Sequence, residues 1–531
     1  MNPTLLAIDG GGVRAGIPLE YLLLIQEALG TECRVRDLVD LSVGPSAGGL
    51  LVLGLIAMEW DIATCSETFD LLARRIFRER RQPAISSLLR FLLGKNSILG
   101  NIPRWLSWFL HDSCYDPRLF DTSLQEAYGS SRRISDTVTN GSQVLHSQSK
   151  FGVIAANIAK DTRSFVFGNF NAVDWYENGY DYELFRASSR EMEPRICDVA
   201  RATAAAPFLF PTAELRVGSF QDGGLQDNFA AGIAGRICRR IWPSRLGVAR
   251  VISLGTGEDV PSADRSPRFR HVFRDGFLRR GFDAFMSSLG TKSKWLQLVD
   301  RLDNATKPDY IRMDVALDNL PCTIDDLEVM DDYRNLVILQ PGSARLARAT
   351  ATAMLVARFY FVLERLEEVD NGTKYLCYGR IKCKGPVKPI ISAFQGLHPD
   401  KVDFVTDTEL LGTFGGIENL CGVCGRYSKS ICLSVHHPSE TSNIYARVSR
   451  QQQWRISGFP ATMSHFAKAL QLDHPFGQLT HGRPSAMPCD SCDGFSSPTQ
   501  QRRRKRASED SVDEPERKRA CRVGDMTREE D

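Results

Sequence analysis

Ser46 stands between Gly44 and Gly48, at the point where a strand-like stretch gives way to a helix-like one. Residues 38–43 are mostly apolar and predict a short buried strand, and residues 50–58 have the length and composition of a helix. A serine at a sharp strand-to-helix turn, in the pattern Gly-x-Ser-x-Gly, is a nucleophile elbow. The glycines are required because side chains at 44 and 48 would collide with the flanking elements. The pattern predicts nucleophilic attack on a carbonyl, and a plain glycine-serine turn is the alternative.

A serine hydroxyl is a weak nucleophile unless a base takes its proton. Asp222 follows a strand-like stretch around Phe220 and precedes Gly223-Gly224, so we expect it at a strand end, where active-site groups gather in open α/β sheets. As a direct base it must lie within about 2.6–3.2 Å of the serine oxygen. A triad with a late histidine, His271 or His398, is one alternative. A plain Asp-Gly turn is the other.

Gly10, Gly11 and Gly12 separate a predicted strand from a predicted helix. The bare N–H groups of consecutive glycines can converge on an anion. A phosphate-binding loop is disfavoured because the Gly-Lys-Ser/Thr ending is absent, and a dinucleotide-binding loop because the Ser46 elbow follows Asp40 at once. We therefore favour an oxyanion hole, to which Arg14 adds positive charge. A tight turn without a ligand is the alternative.

A single sheet must bring these three motifs together. The sequence predicts strands over residues 4–8, 38–43, 151–156, 164–170 and 251–254, and helices over residues 18–29, 50–58 and 199–206. Strands that alternate with helices predict an α/β fold with a largely parallel central sheet covered by helices on both faces.

The three motifs together resemble the signatures of patatin-like phospholipases over about residues 4–260. The matching stretches are Asp9-Gly-Gly-Gly-Val-Arg14, Gly44-x-Ser46-x-Gly48 and Asp222-Gly223-Gly224, and residues 241–243 are similar to fungal patatin-domain proteins. The resemblance implies a lipid acyl hydrolase with a Ser/Asp dyad, in which Ser46 is the nucleophile and Asp222 the base. It implies that the N–H groups of Gly10, Gly11 and Gly12, with Arg14, form the oxyanion hole. It also implies phospholipid or other acyl-lipid substrates, an acyl-enzyme, and no required cofactor.

Two positions depart from the family pattern. Ala15 stands where the glycine loop normally closes with glycine, which costs about 1 kcal/mol if the position needs a positive φ. Pro45 precedes the nucleophile, fixes its own φ and removes one N–H. Neither change removes a reacting group, so we expect an enzyme. The alternative is an inactive patatin-like domain that binds lipid or protein in the nucleus.

The 531 residues predict two to three units. We assign residues 1–260 to the catalytic core, 261–370 to a helical extension or cap that completes the core, 371–480 to a β-rich accessory domain, and 481–531 to a disordered basic tail. Residues 343–368 read as one long helix. The net charge of +2 gives no reason to expect specific nucleic-acid binding, and 43% hydrophobic residues are typical of a soluble protein. Without a signal peptide or a long apolar run, we expect an intracellular protein, cytoplasmic and also nuclear.

Two C-x-x-C pairs are weak candidates for a structural zinc site. Cys421 and Cys424 form one pair, Cys489 and Cys492 form the other, and 64 residues lie between the pairs. Zinc ribbons usually separate their pairs by some 15–20 residues. Cys432, His436 and His437 are alternative partners for the first pair. We favour unliganded thiols.

Two cationic segments suggest partners. Residues 65–113 read as amphipathic and arginine-rich, with Trp105 and Trp108, and either make peripheral membrane contact or pack on the core, which we favour. The basic clusters 502–506 and 517–519 resemble a bipartite signal for a nuclear-import receptor. A tether to anionic lipid or nucleic acid, or a solvated tail, are the alternatives.

Overall fold

A computed structural model describes residues 1–78, 113–136, 149–158, 162–170, 182–185, 187–243, 247–258, 290–317, 320 and 323–470. The strands are β1 (Thr4–Ile8), β2 (Leu41–Pro45), β3 (Lys150–Asn157), β4 (Arg163–Gly168), β5 (Tyr182–Leu184), β6 (Ala213–Leu215), β7 (Gly218–Asp222), β8 (Arg250–Leu254), β9 (Tyr310–Met313), β10 (Phe359–Val369), β11 (Lys374–Cys383), β12 (Asp403–Val405), β13 (Leu410–Thr413), β14 (Ser428–Val435), β15 (Thr441–Ser442), β16 (Tyr445–Ser449), β17 (Gln452–Arg455) and β18 (Ala461–Thr462). The helices are α1 (Gly16–Leu29), α2 (Val35–Leu38), α3 (Ser46–Val52), α4 (Ile62–Ile76), α5 (Pro117–Tyr128), α6 (Ile196–Thr203), α7 (Gly224–Asp227), α8 (Ala230–Ile241), α9 (Lys292–Asp300), α10 (Met330–Leu339), α11 (Ser343–Val356), α12 (Val387–Leu397) and α13 (Met463–Leu470).

A nine-stranded central sheet organises the first part of the chain. Its main path has the order β5-β4-β3-β2-β1-β8-β9, and the hairpin of β6 and β7 joins it through β3. The pairs from β3 through β2, β1 and β8 to β9 are all parallel. Every residue of β1, β2 and β8 is buried, which parallel strands require because helices cover both faces. The predicted α/β fold with a largely parallel sheet is therefore confirmed.

The two faces of the sheet carry separate apolar cores. Leu6 and Ile8 of β1 join the larger core with residues of α1, α4 and α6. Leu5 and Ala7 point the other way and pack with α8. This alternation is the period of two that a strand imposes on its side chains.

Residues from 359 onward contain antiparallel sheets, which the alternating pattern predicted from residue 375. Strands β10, β11 and β14 make one sheet, and β13, β12, β16 and β17 make another. The predicted long helix over residues 343–368 is wrong in its second half, because α11 ends at Val356 and β10 begins at Phe359. Phe359, Phe361 and Leu363 alternate as buried residues of a strand, and that period of two outweighs the helix-forming residues around them.

The C-terminal β region packs against one end of the parallel strands, the end at which they begin. Asp40, immediately before β2, binds Arg358 and Lys384. Arg250 at the start of β8 and Asp309 just before β9 form a buried cluster with Arg455. The motifs predicted to be catalytic follow the opposite ends of β1 and β2. The C-terminal β region therefore lies at the end of the parallel strands opposite to Ser46.

None of the described helices is both long enough and apolar enough to cross a membrane.

Candidate active site

The nucleophile elbow has the predicted geometry. Ser46 joins β2 directly to α3 and has φ 52°, a left-handed conformation that few residues with side chains adopt. A Cβ at Gly44 would lie 2.5 Å from the carbonyl carbon of Gly48, and one at Gly48 would lie 2.2 Å from the oxygen of Ile8. Both positions therefore need glycine, since the turn brings backbone against backbone.

Strand β3 brings the predicted acid to the predicted nucleophile. Residues 150–154 of β3 pair with β2, and Pro45 lies opposite Ile154. At Ser46 the chain leaves the sheet, and β7 takes the vacated place, so that Asp222 lies opposite Ala155. The two residues, 176 positions apart in sequence, thus stand beside neighbouring positions of one strand. This juxtaposition depends on an antiparallel strand, whereas strand-end sites in open sheets usually follow parallel strands.

The Ser46 hydroxyl donates a hydrogen bond of 2.6 Å to Asp222 Oδ2. The other carboxylate oxygen, Oδ1, accepts the N–H of Gly224 at 2.7 Å. Asp222 is 2% exposed, and burial raises its pKa to about 6, against the opposing effect of these two hydrogen bonds. A pKa near neutrality suits a carboxylate that must accept a proton and later return it.

Thr203, at the end of α6, holds the backbone of the elbow. Its hydroxyl accepts the N–H of Ser46 at 2.8 Å and donates to the carbonyl of Ile154 at 2.6 Å. The hydroxyl thus links the elbow to β3, the strand that also places Asp222. This bridge satisfies the backbone of a residue whose positive φ takes it out of the sheet.

The glycine loop lies beside the elbow, where a Cβ at Gly10 would lie 3.0 Å from Ser46 Cβ. The carbonyl of Gly10 accepts hydrogen bonds from Asn228 Nδ2 at 3.1 Å and Thr256 Oγ1 at 2.9 Å. In a trans peptide the C=O and the next N–H point in opposite directions, so these bonds turn the Gly11 N–H away from Asn228 and Thr256. Within the described part of the chain, the N–H groups of Gly11 and Gly12 have no acceptor.

Arg14 and Ala15 close the loop in a way that the sequence did not predict. Arg14 is buried, and both its N–H and its Nε point at the carbonyl of Gly11, at 3.2 and 3.4 Å. By the same peptide geometry, this orients the Gly12 N–H. Gly12 carries the positive φ of 58°, whereas Ala15 has φ −62°. Alanine at position 15 therefore carries no backbone strain.

An apolar pocket opens beside Ser46, with about 620 Å³ of empty space that includes open solvent. Gly11, Gly12 and Asp222 reach its lining, and the remaining wall is almost entirely apolar. One side comes from α4, whose apolar face packs inward; residues 79–112 of the amphipathic segment lie outside the described residues. Arg74 and Arg75 of α4 instead pair on the surface with Asp331 and Glu126. The apolar lining consists of Ala47, Leu50, Phe69, Leu72, Ala73, Ile76, Phe77, Phe120, Ala204, Ala206, Leu209, Phe210 and Ile324.

Of the two histidines considered as a base, His271 lies outside the described residues. His398 follows α12, and its Nε2 lies 2.8 Å from the hydroxyl of Thr352 in α11. Nothing in the described structure brings an imidazole to the Ser46 hydroxyl, whose recorded partner is Asp222.

The zinc, membrane and import hypotheses stay predictions. Cys421 and Cys424 lie in the turn closed by the bridge between Leu420 and Tyr427, while Cys489 and Cys492 lie outside the described residues. Cys432 lies on β14, and His436 and His437 follow that strand. Among the side chains that the structure places, no three His, Cys, Asp or Glu residues are grouped as a metal would require. Trp105, Trp108 and the basic clusters 502–506 and 517–519 also lie outside the described residues.

Sequence reasoning did not identify the side chains that orient the site. Thr203, Asn228 and Thr256 hold Ser46 and Gly10 in place. Each stands in or beside a stretch that the sequence marked: the alanine-rich run before Pro207, the stretch after Asp222, and the glycines 255 and 257. A small polar residue inside an alanine-rich or glycine-rich run was the available signal.

Residues 6–234 match the family model described as patatin-like phospholipase. The mouse calcium-independent phospholipase A2-gamma is 29% identical over 263 residues, which cover 48% of this chain and 28% of the mouse protein. The cGAMP-activated phospholipase of Pseudomonas aeruginosa is 29% identical over 255 residues, covering 47% of this chain and 61% of the bacterial protein. The chain therefore spans less than two thirds of either relative. A crystal structure of VipD from Legionella pneumophila also matches, with a TM-score of 0.27, 12% identity and coverage of 67% of this chain and 74% of that one, and carries no further argument.

Proposed function

Because residues 6–234 form a domain of the patatin-like phospholipase family, we propose that the chain hydrolyses fatty-acyl esters of lipids with a Ser46–Asp222 dyad. The observation that carries the proposal is the hydrogen bond of 2.6 Å between the Ser46 hydroxyl and a buried carboxylate. Relatives named as phospholipases, including phospholipase A2 proteins, support an acyl-lipid substrate.

In the first step, Ser46 Oγ attacks the ester carbonyl while Asp222 takes the hydroxyl proton. The carbonyl electrons move to its oxygen, and the tetrahedral intermediate carries a negative charge there. As the C–O bond to the alcohol breaks, Asp222 returns the proton to the leaving oxygen. Water then repeats the sequence on the acyl-enzyme, with Asp222 again taking and returning a proton, and releases the fatty acid and free Ser46.

The glycine loop supplies the charge stabilisation in this proposal. Gly11 and Gly12 line the pocket, their N–H groups have no acceptor in the described structure, and the N–H of Ala47 lies in the first turn of α3. Fixed N–H dipoles aimed at a developing oxyanion are among the largest contributions to catalysis. Gly10 and Arg14 act indirectly in this proposal. The hydrogen bonds to the Gly10 carbonyl, and those from Arg14 to the Gly11 carbonyl, fix the orientation of the peptide planes that carry the Gly11 and Gly12 N–H groups.

The apolar pocket is the proposed site for the fatty-acyl chain. Its lining offers side chains such as Leu72, Phe120 and Phe210. Burial of each methylene group of a chain is worth about 0.8 kcal/mol. The chemistry of the wall favours long acyl esters over acetyl esters. The identity of the alcohol, whether a phospholipid, a lysophospholipid or an acylglycerol, is the next question for experiment.

A lipid-panel assay of the wild type beside Ser46→Ala tests the proposal. We expect fatty-acid release and fluorophosphonate labelling by the wild type and loss of both in Ser46→Ala, because among the described residues no second hydroxyl is hydrogen-bonded to Asp222. Ser189→Ala, at an exposed serine, is the matched control and should keep wild-type activity.

The rival function is a patatin-like domain that binds lipid or protein without catalysis. A folded wild type that neither labels nor releases fatty acid from any lipid of the panel would favour this rival and end the hydrolase proposal.

A further inference from the structure

Arg312 of β9 lies beside the glycine loop although it belongs to a segment beyond the matched residues 6–234. Its guanidinium is almost fully buried. Nη1 donates to Asp9 Oδ2 at 2.6 Å and to Ser253 Oγ at 2.7 Å. Nη2 donates to Asp314 Oδ2 at 2.6 Å and to Thr291 Oγ1 at 2.7 Å. A rigid planar fork with four acceptors is a strong geometric constraint on everything it contacts.

The first aspartate that Arg312 binds, Asp9, is the residue at which the glycine loop begins. Asp9 is fully buried and directly precedes Gly10. Its N–H binds the carbonyl of Leu254, and its Oδ1 accepts the N–H of Ala230 at the start of α8. Burial raises the pKa of Asp9, and Arg312 is the charge that opposes this rise. The carboxylate that anchors the loop therefore depends on the guanidinium.

The second aspartate that Arg312 binds, Asp314, is linked to the glycine loop through the turn of residues 255–257. Asp314 Oδ1 accepts the N–H of Gly257, and Asp314 Oδ2 binds Arg312. Asp314 thereby holds the turn of residues 255–257. This turn carries Thr256, whose hydroxyl donates to the Gly10 carbonyl. The fit is close, since a Cβ at Gly255 would lie 1.8 Å from Asp314 Oδ2. Arg312 thus reaches Gly10 along two routes, through Asp9 and through Asp314.

We propose that Arg312 is a positioning residue of the active site, which fixes the peptide planes of the glycine loop and so aims the Gly11 N–H at the oxyanion. This inference rests on the proposed hydrolase function. It assigns a part of the catalytic geometry to a residue of β9, which lies beyond all three motifs in the sequence.

Arg312→Lys is the principal test, with p-nitrophenyl butyrate as the substrate. A lysine keeps the charge beside Asp9 but cannot make four bonds in one plane. We expect kcat to fall about tenfold or more, because a misaligned oxyanion donor costs up to about 10²–10³ in rate. KM should stay within about twofold, since the apolar pocket is untouched. Arg312→Ala should be partly rescued by millimolar guanidinium chloride, which fills the vacated place.

Arg250→Lys is the matched control. Arg250 is also buried and also pairs with an aspartate, Asp309, but at the opposite end of the sheet. It should lower the melting temperature while kcat remains that of the wild type. Thr291→Val guards against loss of folding in the arginine variants, because it removes only one acceptor of Nη2. It should lower kcat about twofold to fivefold.

The outcomes separate the two proposals. A wild type without Ser46-dependent activity defeats the hydrolase function itself. With an active wild type, a folded Arg312→Lys that retains kcat overturns the positioning role. An equal loss of kcat in Arg250→Lys also overturns the positioning role. If the arginine variants do not fold, an unchanged kcat in Thr291→Val overturns it.

Discussion

At the scale of single residues, the site pairs a hydroxyl with a carboxylate whose environment changes its basicity. An exposed aspartate is a weak base at neutral pH. The carboxyl of Asp222 is buried between β3 and the elbow, which raises its pKa to about 6. The gain in basicity has a cost, because a buried charge destabilises the folded state when it ionises.

Asp222→Asn should therefore separate activity from stability. The amide can donate to Ser46 and accept from Gly224, so the fold is kept, but it cannot take a proton. We expect this variant to form neither an acyl-enzyme with an ester substrate nor a phosphonyl adduct with a fluorophosphonate. In the wild type, kcat/KM should fall about tenfold per pH unit below pH 6, as Asp222 becomes protonated.

The stability of this variant has a predictable pH dependence. The folded-state pKa of Asp222 is raised above the unfolded value of 3.8, so folding takes up a proton between about pH 4 and pH 6. Wild-type stability relative to Asp222→Asn should thus fall as the pH rises through this window. At pH 7 the variant should melt at a temperature equal to or higher than that of the wild type. Its gain in unfolding free energy should not exceed about 3 kcal/mol, which corresponds to a pKa shift of two units. A lower melting temperature at pH 7, or full activity, would contradict the assigned role.

Sequence alone predicted that Ser46 and Asp222 would meet, because both residues carry local signatures. Gly44 and Gly48 mark a turn too tight for side chains, and Gly223 follows the acid for the same reason. Thr203 and Arg312 have no such mark. Their importance comes from partners 157 and 303 positions away in the chain, and the type of a single residue does not report contacts of that range.

At the scale of elements, the glycine loop shows why three consecutive glycines stand between β1 and α1. A Cβ at Gly11 would lie 2.6 Å from the Thr256 side chain, and one at Gly12 would lie 2.1 Å from the Ile324 carbonyl. Gly12 also has a positive φ of 58°. Close approach and backbone conformation thus both demand glycine here.

Gly12→Ala should abolish or severely reduce esterase activity, because the loop must shift to relieve the contact with Ile324. We expect a loss of at least about 1 kcal/mol in unfolding free energy from the φ alone, measured by urea denaturation. Gly235→Ala, in the middle of α8 where a Cβ meets open space, is the matched control. It should be as active as the wild type and more stable by up to about 1 kcal/mol. A fully active Gly12→Ala would show that the loop does not need its present geometry.

Helices and strands were predictable from the sequence where one hydrophobic pattern continued along the whole element. The strands 4–8 and 251–254 follow from short apolar runs, and the structure has them at Thr4–Ile8 and Arg250–Leu254. The junction of α11 and β10 was not predictable in this way, since Ala357 and Arg358 carry no turn signal. At this junction Arg358 binds the buried Asp40, a residue 318 positions away that the local sequence does not reveal.

At the scale of the whole molecule, the parallel sheet and the C-terminal β region are joined by buried charge. Asp40 has 6% of its surface exposed and accepts hydrogen bonds from Arg358, Lys384 and the N–H of Thr4. These cations hold its pKa well below the usual range, although burial opposes them. We therefore expect the two regions to fold as one cooperative unit.

Arg358→Met should destabilise the protein by about 3–5 kcal/mol, because it leaves a buried carboxylate with only Lys384. The folded-state pKa of Asp40 lies below the unfolded value of 3.8, so the stabilisation is present above about pH 4 and lost as the pH falls further. The difference in melting temperature between wild type and variant should accordingly be large at pH 7 and shrink towards pH 3.

Arg74→Met is the control for this experiment. Arg74 pairs with Asp331 on the surface, where both side chains are more than half exposed, and exposed pairs contribute little. An Arg358→Met protein that melts like this control would show that the link at Asp40 does not hold the regions together.

The β region lies at the strand starts, and the apolar pocket beside Ser46 lies at the strand ends. A five-residue strand spans about 17 Å, so the two surfaces lie at opposite ends of the parallel strands, separated by the strand length. Attachment of the protein to a solid support through its β region would leave the pocket turned outward, towards a suspension of lipid particles. The same polarity means that a bulky fusion partner on that underside would not shadow the entrance.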